Sequence, residues 1–153
     1  MPEPLPAKKV TEEVNTYWDA SGSGLTKPTL IEVEGTGTDS TRDPLRYDLN
    51  KGDVITIRPG SPSFEETPIG NWTYGNRVYS VILEIFTRED RQRLYNIMAE
   101  IRRICHARMH SLTGFQRIQF QNFTEETNEN VHIWQGSVNI QLINQMVSLE
   151  TAN

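Results

Sequence analysis

A single cysteine, Cys105, stands among 153 residues, which excludes an intrachain disulfide and fits a reducing compartment. No uncharged apolar run approaches the roughly 18 residues of a membrane-spanning helix, so no membrane partner is expected. The start, Met1-Pro2-Glu3-Pro4-Leu5-Pro6, lacks a basic region followed by an apolar stretch, so no secretory signal is expected either. The sequons Asn71-Trp72-Thr73 and Asn122-Phe123-Thr124 are accordingly read as chance matches to a short pattern. Apolar residues are sparse at 36%, or about 39% when the 10 Gly are counted in place of the 5 Tyr, against about 45–50% on that second count in ordinary soluble domains. A thin core in one domain spanning 1–153 implies that neighbouring subunits supply part of the stability. Lysine is scarce too, 4 against 11 Arg, which favours fixed, forked contacts over a merely soluble surface.

Positive charge is missing from whole regions. The net charge is −5, and residues 118–153 hold no basic group but four acids, Glu125, Glu126, Glu129 and Glu150. Residues 77–117 hold 8 Arg against Glu84, Glu89, Asp90 and Glu100, while residues 1–76 are acidic again. A basic band between acidic flanks disfavours general nucleic-acid binding, which calls for a basic domain. It suits charge-complementary contact with copies of the same chain or with an acidic partner.

The pattern of apolar positions predicts the elements. Residues 1–7 are expected to be flexible. Val10, Val14, Tyr17 and Trp18 mark one face of a helix at about 8–20, stopped by Ser21-Gly22-Ser23-Gly24. Thr29–Glu34 and Asp53–Arg58 read as strands, separated by a polar loop at 35–52. That loop opens with Gly35-Thr36-Gly37, but no Gly-Lys-Ser/Thr ending follows, so it lacks the signature of a phosphate loop. A second Pro/Gly/Ser-rich loop is expected at 59–76. Arg77–Phe86 is apolar on both faces, which predicts a central strand covered on both sides. Thr87 reads as an N-cap for a long amphipathic helix at about 87–110, with Leu94, Ile97, Met98, Ile101, Ile104 and Cys105 on its stripe. Phe115–Phe123 and Val131–Met146 are strands joined by a polar turn. The second alternates apolar Trp134, Val138, Ile140 and Leu142 with uncharged Gln135, Ser137, Asn139 and Gln141. One long helix on hairpin-connected strands gives an α+β domain with a mostly antiparallel sheet.

Few residues suggest chemistry. Cys105, His106 and His110 have zinc-like spacing, but Cys105 lies on the apolar stripe and His106 does not, so the three diverge. Buried against Ile101 and Ile104, the thiol is expected to be inert. The paired carboxylates Glu65-Glu66 and Glu125-Glu126 fall in solvated loops. No enzyme, metal or cofactor is expected. Trp72, Tyr74 and Tyr79 offer an aromatic platform for single strands, or else anchor a loop. The sharpest expectation concerns a subunit interface: Arg91, Arg93, Arg102 and Arg103 on the exposed helix side, acids Glu125, Glu126 and Glu129, and the polar strand face Gln135, Asn139 and Gln141. Local ion pairs such as Arg93 with Glu89 are the alternative for the arginines.

The succession of elements carries a resemblance. A Val10–Trp18 helix is followed by the Pro28-Thr29-Leu30-Ile31-Glu32-Val33 strand start, the Trp72–Phe86 strand and the Thr87–His106 helix. A strand containing Gly136-Ser137-Val138-Asn139-Ile140-Gln141-Leu142 closes the series. This resembles the tail terminator, or tail-to-head joining, proteins of long-tailed bacteriophages. The resemblance implies a homohexameric ring at the virion neck, made in the host cytoplasm. Its partners would be the tail tube protein and the head connector or adaptor, with DNA passing through the lumen without specific binding. A head-closure adaptor or tail-tube subunit is the nearest alternative, and a nucleic-acid-binding module a more distant one.

Overall fold

The computed structural model describes residues 5–32, 52–70, 72–127 and 132–149. The expectations for residues 1–4, for all but the end of the 35–52 loop and for Glu129 lie outside these.

Helix α1 (Pro6–Tyr17) starts on a proline, whose ring presets the first helical φ at a position that needs no N–H. Pro6 and Ala7, expected to be flexible, are thus already helical, and Ala7 is buried with Val10 and Val14. The helix ends at Tyr17 rather than near 20. Trp18 turns extended, and the Asp19 carboxylate accepts from the Gly22 N–H (2.9 Å) to cap a one-turn helix, α2 (Ala20–Ser23). Gly24, at φ 72°, closes that turn in the left-handed conformation a glycine adopts without strain.

Strand β1 (Thr29–Glu32) pairs parallel with β2 (Val54–Pro59), which pairs antiparallel with the long β4 (Trp72–Thr87). Between them lies the main departure from the predicted elements. Residues 63–69, expected within a loop, form β3 (Ser63–Ile69), which turns at Gly70 and runs antiparallel to the first half of β4. The hydrophobic pattern misses β3 because neither of its faces is covered: Phe64 is 51% and Ile69 59% exposed. Main-chain pairing holds it, not burial of an alternating face.

Helix α3 (Arg91–Ala107) starts later than predicted, capped by Asp90, whose carboxylate accepts from the Arg93 N–H (2.7 Å). Thr87 is not the cap. It is the buried last residue of β4, paired with Trp134, and its hydroxyl accepts from the Glu89 N–H. Two antiparallel strands follow, β5 (Arg117–Glu125) and β6 (Trp134–Leu149). A bulge leaves Gln121 unpaired in β5, so Phe120 and Phe123, three residues apart, both reach the helix side. Gly136 of β6 sits beneath Phe123, where a β-carbon would lie 2.4 Å from the ring.

The sheet order is β1-β2-β4-β6-β5, with β3 continuing along the edge of β4 that β2 occupies. The fold is α+β with a mostly antiparallel sheet. Helices α1 and α3 pack on one face, over Ile55, Ile57, Tyr79, Val81, Leu83, Ile85, Val138, Ile140 and Leu142. The prediction that β4 is covered on both sides holds only at its end. There Phe86 joins Val54 and Ile133 in a small second cluster, while Val78 and Ile82 stay half-buried on the face over which no described helix packs. Past Ile143, strands β3, β4 and β6 continue together as a three-stranded arm that exposes Phe64, Ile69 and Tyr74.

Candidate assembly surface

Most of the helix arginines find acids within the same chain. Arg93 Nε lies 2.6 Å from Asp53 Oδ2 at the start of β2 and 3.5 Å from Glu89 Oε2. Arg103 grips Glu100, donating from Nε at 3.0 Å to Oε1, and its Nη2 also donates to the Tyr17 carbonyl at 2.8 Å. Arg108, just past the helix, donates to Glu13 of α1 at 2.9 Å and stacks 4.1 Å from the Tyr17 ring centroid. Arg91 donates to Glu125 at the end of β5 at 2.8 Å and lies over the Trp134 ring. Three of the acids, Glu13, Asp53 and Glu100, are buried. A carboxylate in such a site is tolerable only when paired and hydrogen-bonded.

Charge that is segregated along the sequence therefore closes largely within one protomer. Two of the candidate interface residues, Arg91 and Glu125, meet each other. The Arg91 hydrogen bond, ahead of those from Thr127 and Tyr95, holds the Glu125 carboxyl below its ordinary range. The guanidinium of Arg103 is shifted up, chiefly by its hydrogen bond to Glu100, and that of Arg108 by its bond to Glu13.

Fewer groups remain for a partner. Arg102 is exposed and makes no ion pair with any described residue. Glu126 is exposed, and among the described residues only its backbone N–H is engaged, donating to the Gln135 carbonyl at 2.8 Å. Gln135, Asn139 and Gln141 lie half-buried on the helix-free face, as the alternation predicts. The ion pair on that face, Arg58 with Glu84, is neutralised at 3.2 Å, and the Asn139 Oδ1 is buried with no hydrogen-bond partner among the described residues.

The remaining candidates separate. Cys105 is buried while His106 and His110 are exposed, and burial pushes the thiol up to about 12. Among the described residues no three His, Cys, Asp or Glu side chains come together as a metal site. Tyr79 is buried, edge-on to Phe115 (5.7 Å between centroids) and to Phe64 (5.9 Å), whereas Tyr74 is exposed on the arm and belongs to the opposite face. The two tyrosines make no shared platform.

One feature escaped the sequence pattern. Arg117, counted in the basic band but placed on β5 rather than on the helix, lines a surface concavity of about 400 Å³ with His110, Asn76, Gln116, Val78 and Ile143. The faint signal for it was a cation at the head of a strand with no acid near it in sequence.

No family model matches the chain, and no curated protein matches its sequence. Its fold is shared with a chain from the virion of a native gene transfer agent particle. The TM-score is 0.56 at 10% identity, over 92% of this chain and 94% of that one. An identity this low makes the likeness one of fold, extending over most of both chains.

Proposed function

We propose that this chain is a structural virion protein of the particle neck. Its copies form a closed ring, six by the family resemblance, that ends the tail tube and joins it to the head connector or adaptor. The observation that carries the reading is the nearly full-length likeness to a component of a gene transfer agent virion. Three features support it: the sparse apolar content, the arm with exposed Phe64, Ile69 and Tyr74, and a helix-free face whose ion pair is neutralised. Such a face suits subunit contact. The work is mechanical and calls on no catalytic group, metal or cofactor. A tail-tube subunit is the second reading, favoured by the edge of β3 on the arm that pairs with no described strand, which suits repeated lateral pairing.

Native mass spectrometry and electron micrographs over a concentration series test this. A closed multiple of 17.5 kDa, seen as a ring, is expected. Open filaments favour the tube subunit, and a monomer at millimolar concentration overturns both. A ring should also show little retention on duplex DNA at moderate salt.

A further inference from the structure

We infer that the concavity around Arg117 is a carboxylate socket, and that it receives Glu126 of a second copy of this chain. The inference rests on the ring reading and specifies one of its contacts.

Arg58, Arg91, Arg93, Arg103 and Arg108 each hold an acid of their own chain. Arg117 is exposed and, among the described residues, holds none. Beside it in the concavity stand the His110 imidazole and the Asn76 amide, with Gln116, Val78 and Ile143 completing the lining, and among the described residues no carboxylate lines the space. A forked guanidinium with further N–H donors beside apolar atoms matches one carboxylate: two parallel hydrogen bonds form, and the apolar atoms keep water from competing.

The acid that fits stands at the other end of the same strand. Arg117 opens β5 and Glu126 follows its last residue, Glu125. At about 3.3 Å per residue the two lie roughly 30 Å apart, so Glu126 cannot reach its own socket. A chain with a socket at one end and an acid at the other makes head-to-tail contacts, which close into a ring when the rotation permits. Of the other exposed acids among the described residues, Glu89 is paired with Arg93, and the Asp19 and Asp90 carboxylates cap α2 and α3. Glu65 pairs in register with Asn76 and so stands beside the socket, at the same end of the molecule. Glu12 lies beside Lys8 and Lys9 on α1. Glu65 also argues against a nucleic-acid phosphate backbone here, since a polyanion tracking past the socket would meet that carboxylate.

The test uses Arg117→Glu, Glu126→Arg and the double variant, with circular dichroism to confirm folding and native mass spectrometry to read assembly. Like charges facing each other should raise the dissociation constant of each single variant by about tenfold or more, and the double charge swap should restore assembly. An equimolar mixture of the two single variants should also assemble, as an alternating ring of even copy number. If a single variant misfolds, Arg117→Gln reads the same contact and should weaken assembly. Single variants that assemble as the parent does, or a double variant no better than the singles, overturn the socket and leave the ring standing. A parent chain that never assembles overturns both. DNA retention by the parent that Arg117→Glu abolishes, with assembly intact, would assign the socket to phosphate and overturn the inference.

Discussion

Arg102 and Arg103 are adjacent in sequence and should behave oppositely when replaced by methionine, which keeps most of the aliphatic stem. Arg103 is the main partner of Glu100, whose side chain is 4% exposed while that of Arg103 is 47% exposed. Without Arg103, Glu100 keeps, among the described residues, only the Asp19 N–H at 3.1 Å, and the Tyr17 carbonyl loses its donor. Breaking a buried ion pair costs about 3–5 kcal/mol. Because water reaches the arginine head and partly replaces it, a cost of about 2–3 kcal/mol is expected for Arg103→Met. Arg102→Met removes no pair and should stay within about 0.5 kcal/mol. Urea unfolding at pH 7, at a concentration where light scattering gives the monomer, measures both. Adding Glu100→Gln to Arg103→Met should recover about 1 kcal/mol or more, because the stranded charge is gone. Equal costs for the two arginines would refute the claim that the band is mainly an internal clamp. Reversing both charges together is a poor assembly test for the same reason, since Arg103→Glu sets a second carboxylate against buried Glu100.

Three further outcomes follow from the packing. The Cys105 thiol, held neutral to about 12 in the fold, ionises near 9 once unfolded, so the unfolded state binds fewer protons above pH 9. Stability should therefore fall by about 1.4 kcal/mol per pH unit relative to a Cys105→Ala variant, on the order of 2 kcal/mol by pH 10.5, and thiol reagents at pH 8 should react only on unfolding. Gly136→Ala drives a methyl group into the Phe123 ring and towards Leu94, and should cost about 1–3 kcal/mol in thermal or urea unfolding; a neutral result would mean β5 yields at its bulge. Asn139→Val removes a buried acceptor that has no described partner and adds a β-branched side chain to a central strand, so the monomer should gain about 1 kcal/mol, and a loss would show that Oδ1 is satisfied.

The sequence by itself determined the elements that bury a periodic face. Leu94 to Cys105 announced α3, Val10 and Val14 announced α1, and the alternation from Trp134 to Leu142 announced β6 with its polar side outward. It also placed Cys105 in the core, because a thiol on an apolar stripe packs as a small hydrophobe. It did not reveal β3, since a strand held by main-chain pairing alone leaves no hydrophobic period to read. It put the helix cap at Thr87 because local patterns do not show that β4 runs on to that residue and pairs it with Trp134. Most of all, it could not say which acids the arginines meet. Glu13 and Arg108 are 95 positions apart, Asp53 and Arg93 are 40, and only the packing of α1, β2 and α3 brings these charges together. Charge neutralisation depends on distance in space, so the band that looked ready for a neighbour proved largely satisfied at home, and the fold alone singled out Arg117.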